Sequence, residues 1–134
     1  MTHDFPVPGW DRYESIEFIG EGGMGRVYRA RDPRLGRWVA IKIIRQGSAD
    51  IQERFMREAR AQARIEHPHV CPIHEVGTVG DYPYIAMHYV QGESLDKANP
   101  RLTLDQKVAI LAQVADAIHA AHRLGIVHRD LKPA

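Results

Sequence analysis

The chain has 134 residues, the length of one ordinary domain, and a formal net charge of +1 at pH 7. This near-neutral balance gives no electrostatic reason to expect binding to nucleic acid or to an anionic membrane surface. The single cysteine, Cys71, excludes a disulfide within the chain and favours a reducing compartment, and the sequence lacks the run of about 18 apolar residues that a membrane-spanning helix needs.

The first third of the chain is predicted to form strands. Residues 1–12 are punctuated by proline and glycine and are expected to be a lead-in segment. From Tyr13 the pattern indicates a strand, a glycine run and a second strand. Proline and glycine predict a turn over residues 32–36. Frequent β-branched and aromatic residues then predict a third strand over residues 38–44.

A helix is predicted over residues 48–66, with Ser48 or Asp50 as its N-terminal cap. Five of its residues recur at helical spacing and should share one face: Ile51, Phe55, Glu58, Gln62 and Ile65. Glu58 is therefore expected in the middle of a largely apolar stripe. A carboxylate there is costly to desolvate unless a cation meets it.

The remaining elements are two strands and a second helix. The strands are predicted over residues 70–77 and 82–90. The helix is predicted over residues 103–124, because Thr103 and Gln106 form the pattern of a capping box and a glycine follows the helix as its C-terminal cap.

The glycine run of the first hairpin reads Gly20, Glu21, Gly22, Gly23, Met24, Gly25. Glycine lets the backbone approach phosphate oxygens closely because no Cβ intervenes. The same string fits a dinucleotide-binding loop, but that loop opens a helix and is followed by an acidic residue about 20 positions later. Here the run leads into a strand at Val27, and the region around Arg45 has no acid. A phosphate-binding loop between two strands is favoured, and a glycine-rich hairpin without a ligand is the alternative.

Three motifs occur in order and together carry a family resemblance. The glycine run continues to Val27 as G-x-G-x-x-G-x-V, residues 39–42 read V-A-I-K, and residues 128–133 read H-R-D-L-K-P. The chain thus resembles the first half of a bacterial-type (Hanks-type) serine/threonine protein kinase domain. The resemblance implies an α+β fold: an N-lobe over residues 13–90, with an antiparallel five-stranded sheet, one helix and a hinge, and then the first helices of a truncated C-lobe over residues 91–134.

The resemblance also implies that a longer parent protein transfers the γ-phosphoryl group of ATP, bound with Mg²⁺, to serine or threonine hydroxyls of protein substrates. Lys42 would hold the α- and β-phosphates, and Glu58 would orient it through a half-buried ion pair. The backbone of two hinge residues would hydrogen-bond adenine, and a gatekeeper would precede them. The other nucleotide contacts would come from the glycine loop and adjacent strands, and the full set is Ile19, Gly20, Glu21, Gly22, Gly23, Met24, Gly25, Val27, Ala40, Lys42, Glu58, Met87 (the gatekeeper), His88 and Val90.

The last motif implies the catalytic groups. Asp130 would be the base that orients a substrate hydroxyl and accepts its proton, and Lys132 would contact the γ-phosphate. The two magnesium ligands of the family, an asparagine and the aspartate of a D-F-G motif, would follow Ala134. We therefore assign no metal ligand within the chain and expect it to lack phosphoryl transfer on its own.

Two residues depart from the family pattern. His88 stands where a glutamate is usual, and Gln62 stands where the family has an apolar residue.

The chain could be a non-catalytic ATP-binding or kinase-interacting module. A zinc site at His67 and its neighbours is disfavoured, because His67 and the proline after it match the family's helix-ending dipeptide. Cys71 is expected to be an inert buried thiol. We expect a cytoplasmic location, and a membrane anchor further along a longer parent is left open.

Overall fold

The computed structural model describes residues 4–22, 25–45, 47–128 and 131. The chain divides into two compact units. The first unit comprises residues 1–63 and 72–90, and the second comprises residues 64–71 and 91–134.

The first unit is built on an antiparallel sheet that has five strands among the described residues. The strands are β1 (Glu14–Gly22), β2 (Gly25–Asp32), β3 (Arg37–Ile44), β4 (Ile73–Val79) and β5 (Tyr82–His88), and their order in the sheet is β1-β2-β3-β5-β4. The predicted five-stranded antiparallel sheet is therefore confirmed.

The fourth strand begins three residues later than the sequence predicted, at Ile73 rather than at residue 70. Pro72 directly precedes it, and proline has no N–H to give to a ladder. The carbonyl oxygen of Pro72 still accepts the N–H of His88 at 2.9 Å, so Pro72 keeps one backbone hydrogen bond to β5.

Alternation along β2 and β3 separates the two faces of the sheet. Tyr28, on β2, pairs with Ile41, on β3, and both are almost fully buried, as are Val39 and Ile43 on β3. These side chains belong to the hydrophobic core cluster on one face. Because successive side chains of a strand point to opposite faces, the residues between them lie on the other face.

The helix of this unit, α1, covers Ala49–Gln62 and so ends four residues before the predicted end. Of the two predicted caps, Ser48 is the one observed, and its hydroxyl oxygen accepts the N–H of Ile51 at 3.3 Å.

The face that α1 turns toward β4 and β5 is not the predicted one. Ala59 is 3% exposed and Phe55 is half-buried, whereas Ile51 is 40% exposed and Glu58 is exposed. Ala59 comes directly after Glu58, and one residue is a turn of about 100° around a helix. The prediction that Glu58 lies within a packed apolar stripe is wrong, because the small side chain of Ala59 occupies that place.

The lead-in segment contributes aromatic side chains to the core. The ring of Phe5 stacks on Trp10 at 5.1 Å between centroids and meets Tyr28 edge-on at 5.2 Å. Trp10 meets Tyr84, on β5, edge-on at 4.9 Å. Edge-on and stacked rings are favourable arrangements beyond the area that they bury. These residues therefore cover the core face of the sheet, a role that the sequence analysis did not assign to them.

The second unit contains two helices and a short 3-10 turn among its described residues. They are α2 (Leu95–Ala98), the 3-10 turn (Asn99–Arg101) and α3 (Leu104–Arg123). The predicted capping box of α3 is confirmed. The Thr103 hydroxyl accepts the N–H of Gln106 at 3.1 Å, and the N–H of Thr103 donates to the Gln106 side chain at 2.9 Å.

The outer stripe of α3 is apolar and exposed. Leu104, Val108 and Leu111 are 75%, 58% and 57% exposed. An exposed stripe of large aliphatic side chains is typical of a surface that packs against further protein. Within the part of the chain that the structure describes, no helix is both long and apolar enough to cross a membrane.

A buried ion pair ties the lead-in to the sheet. Asp32, at the end of β2, is 2% exposed. Arg12 donates to both of its carboxylate oxygens, at 3.0 and 3.3 Å. The backbone N–H groups of Arg34 and Leu35 donate to the same carboxylate at 2.9 and 3.3 Å. Four donors thus compensate this carboxylate for the loss of water.

A neighbouring carboxylate, Glu75 on β4, extends this network. The Tyr13 hydroxyl donates to it, and Arg12 Nε lies 3.4 Å from it. Burial raises the pKa of Tyr84 to about 12, and it also raises the pKa of Tyr13. Both phenols therefore remain protonated at neutral pH.

The hydrogen bonds from Arg12 hold the pKa of Asp32 below its ordinary value of 3.8, although burial acts in the opposite direction. A lowered carboxyl pKa contributes its full stabilisation at pH values above the unfolded-state pKa. That stabilisation is lost as the pH falls through the folded-state pKa.

We predict that Asp32→Asn lowers the free energy of unfolding by about 3 kcal/mol at neutral pH, because the Arg12 guanidinium loses its charged partner. The difference from wild type should shrink as the pH falls from about 4 toward the lowered pKa of folded Asp32, because the unfolded wild-type chain binds a proton at this carboxylate first. Urea unfolding over this pH range measures it. Glu14→Gln, which removes the exposed partner of Arg31, is the matched control and should change stability little at any pH. A deficit of Asp32→Asn that is independent of pH would contradict the account.

Candidate nucleotide site

The glycine loop joins β1 to β2, and its glycines have different surroundings. A Cβ added at Gly20 or Gly22 would meet no atom within 4 Å, so the backbone there is open to an approaching group. A Cβ at Gly25 would lie 2.5 Å from the carbonyl oxygen of Ile43, so this position is glycine because β3 packs against it. Gly23 and Met24 lie outside the described residues.

The face of the sheet opposite the core gathers the other predicted nucleotide contacts. Val27 pairs with Lys42 across β2 and β3, and Ala40 pairs with Met87 across β3 and β5. Residues directly opposite each other in an antiparallel pair share a face, and Ala40 and Lys42 are two apart on one strand. The side chains of Val27, Lys42 and Met87 are half-buried, and Ala40 is 8% exposed. Ile19 and Glu21 lie on β1, on the strand that leads into the loop.

Lys42 lies on this face, opposite Val27 and near α1. Its ammonium nitrogen is 6.0 Å from the centre of the Phe55 ring on α1, which is the outer limit of a cation–π contact. Among the described residues, no carboxylate forms an ion pair with it.

The predicted half-buried ion pair between Lys42 and Glu58 is absent from the described residues. Glu58 instead accepts a hydrogen bond from Arg54 Nε at 3.0 Å, one helical turn away. The two side chains are 59% and 64% exposed, Arg54 first. The reason is the face that α1 presents to the sheet: Ala59 is buried there, and Glu58 is exposed.

Of the two predicted hinge residues, His88 is the last residue of β5 and Val90 follows the strand. The N–H of His88 is engaged by the carbonyl oxygen of Pro72, and Val90 is 63% exposed. Adenine contacts by the backbone of His88 and Val90 remain predictions.

The proposed catalytic groups, Asp130 and Lys132, lie outside the described residues. Within the described part of the chain, no cluster of three His, Cys, Asp or Glu residues could hold a metal ion. Both ring nitrogens of His67 are engaged, one 2.7 Å from the carboxylate of Asp116 and the other accepting the N–H of His69 at 3.0 Å. Cys71 is half-buried, not buried as expected.

Arg29, which none of the sequence predictions included, lies on the same face of the sheet as Val27, Ala40 and Lys42. Arg29 lies two residues after Val27, and its guanidinium carbon is 4.4 Å from the ring centre of Trp38 and 5.8 Å from that of Tyr89. Strand alternation could have placed Arg29 on this face. No sequence signal shows that a residue beyond β5 returns to meet it.

Comparison with known proteins gives a family match over most of the chain. The family model described as the protein kinase domain matches residues 13–134. A probable serine/threonine-protein kinase of Clostridium perfringens is 41% identical over 129 residues, which are 92% of this chain and 19% of the relative. The serine/threonine-protein kinase PrkC of Bacillus subtilis is 42% identical over 128 residues, which are 91% of this chain and 20% of the relative. The chain thus spans about a fifth of the length of these curated relatives.

A solved structure is similar in fold. The crystal structure of a mutant of the PknI kinase domain from Mycobacterium tuberculosis superposes with a TM-score of 0.79 at 28% identity. The match covers 97% of this chain and 57% of that one.

We predict that Glu58→Gln changes the free energy of unfolding of the 134-residue chain by less than about 0.5 kcal/mol, because an exposed pair one helical turn apart contributes only tenths of a kcal/mol. Arg54→Gln is the matched control and should have an effect of the same small size. Urea unfolding measures both. A loss of about 3 kcal/mol for Glu58→Gln alone would show that Glu58 is held in a buried ion pair, against the observed exposure.

Proposed function

The chain belongs to the protein kinase family, and from this premise we propose that it provides the ATP-binding part of a serine/threonine protein kinase. The observation that carries the proposal is the single sheet face that brings Val27, Ala40 and Lys42 together beside the open backbone of Gly20 and Gly22. The names of the curated relatives support serine and threonine hydroxyls as the acceptors.

Each part of ATP has a chemically suitable partner in this arrangement. The adenine ring would lie against the aliphatic side chains of Val27 and Ala40, which share one face of the paired strands β2 and β3. The open glycine backbone would approach the phosphates without steric conflict. The Lys42 ammonium would supply the positive charge that phosphate oxygens require, at the end of the face nearest α1.

Phosphoryl transfer places further demands on residues around this site. Asp130 would orient and deprotonate the acceptor hydroxyl, and Lys132 would contact the γ-phosphate. Mg²⁺, when bound with ATP, would neutralise charge on the phosphates, and its side-chain ligands are not assigned to residues of this chain. Glu58 would also have to exchange its partner Arg54 for Lys42.

A second candidate function is an ATP-binding module that transfers no phosphate. The pairing of Glu58 with Arg54 favours it, because Lys42 then lacks the carboxylate that orients it in active kinases. The two candidates share ATP binding and differ in turnover.

We predict that the 134-residue chain binds ATP and that Lys42→Met weakens this binding, whereas Asp130→Asn leaves it unchanged. Lys42 contacts phosphates in the bound state, and Asp130 acts on the acceptor. Isothermal titration measures both affinities. Labelled-phosphate transfer by the chain should not exceed that of an Asp130→Ala control.

In a polypeptide extended through a complete kinase domain, both Lys42→Met and Asp130→Asn should lower kcat at least about 100-fold with an unchanged melting temperature. Near-wild-type turnover of either folded variant would refute the role of that residue. ATP binding by the extended polypeptide without any turnover would establish the second candidate.

A further inference from the structure

Arg29 links three elements of the first unit at one point. Its Nη2 atom donates to the carboxylate of Glu17, on β1, at 2.9 Å. Its guanidinium carbon lies 4.4 Å from the ring centre of Trp38, on β3, and 5.8 Å from that of Tyr89, which follows β5. Both distances are within the range of cation–π attraction.

The position of this contact relates it to the nucleotide face. Arg29 pairs with Ala40 across β2 and β3, so its side chain shares the face of Ala40 and Val27. Tyr89 lies between His88 and Val90, the two residues whose backbone is expected to bind adenine. A contact that holds the Tyr89 ring therefore also restrains the backbone on both sides of it.

The surroundings of Arg29 differ from those of an ordinary surface arginine and are suited to holding an aromatic ring in place. The Arg29 side chain is 30% exposed, and its Nε atom is buried with no hydrogen-bond partner among the described residues. A guanidinium is weakly hydrated and planar, so it stacks on aromatic faces where an ammonium would keep its water. Arg31, two residues along the same strand, is 42% exposed, and its ion pair among the described residues is with Glu14 at 3.7 Å.

We propose that Arg29 is a positioning residue for the adenine end of the nucleotide: by holding Tyr89 against the sheet, it fixes the backbone of His88 and Val90. This role rests on the proposed binding of ATP. It extends that function because none of the three kinase motifs contains Arg29, Trp38 or Tyr89.

The test compares adenosine with ATP as titrants of the 134-residue chain. Arg29→Met keeps the aliphatic stem and removes the cation, so it should weaken both ligands by the same factor of about three to five. Arg31→Met is the matched control and should bind both ligands like wild type. Lys42→Met should weaken ATP and spare adenosine, because adenosine has no phosphate. This difference separates the adenine end of the site from the phosphate end.

A variant of the partner ring tests the contact itself. Tyr89→Ala should reproduce the loss seen with Arg29→Met, and the double variant should be no weaker than either single variant, because both remove the same interaction. Tyr89→Phe keeps the ring and should bind like wild type. Additive losses in the double variant would overturn the proposal.

Hydrogen exchange provides a readout that does not depend on nucleotide. The amides of residues 88–90 should exchange about three- to fivefold faster in Arg29→Met than in Arg31→Met, while those of β2 and β3 are unchanged. Equal adenosine affinity and equal exchange in these two variants would overturn the proposal. If wild type binds neither adenosine nor ATP, the proposed function and the adenine role of Arg29 both fail. If adenosine and ATP bind but Arg29→Met has no effect, only the role of Arg29 fails.

Discussion

The pairing of β2 with β3 determines where the rest of the first unit can lie. It sets Tyr28 against Ile41 on one face and Val27 against Lys42 on the other. A slip of β3 by one residue would exchange its two faces, bury Lys42 in the core and expose Ile41. Burial of the aliphatic and aromatic side chains therefore fixes the register, and the register places Val27, Ala40 and Lys42 together on the opposite face.

The lead-in segment and the Arg12–Asp32 ion pair stabilise this sheet. Phe5 and Trp10 cover the core face, and the buried carboxylate at the end of β2 accepts four hydrogen bonds. On the opposite face, the side chains of Val27, Lys42 and Met87 are half-buried, and the backbone of Gly20 and Gly22 is open. Stability is concentrated on one side of the sheet, and the other side is left available for a ligand.

Local sequence signals predicted the elements better than their contacts. The sheet, the Ser48 cap and the Thr103 capping box follow from alternation and capping chemistry, which depend on residues close in sequence. The predicted buried face of α1 was wrong. Ala59 and Glu58 are neighbours on the helix, and only packing against β4 and β5 decides which of the two is buried. The contact of Arg29 with Trp38 and Tyr89 joins three separate strands or segments. Strand alternation predicts the face on which Arg29 lies, but it does not predict which aromatic rings the guanidinium meets there. The structure leaves the assigned roles of the nucleotide-contacting residues and Asp130 as predictions.

The central claim is that the face opposite the core binds the nucleotide. Chemical-shift mapping by NMR during titration of the 134-residue chain with ATP tests it most directly. The account predicts shifts concentrated at the amides of Gly20, Gly22, Ala40 and Val90, with little change along α3. Shifts that cluster on α3, or no shifts at saturating ATP, would contradict it.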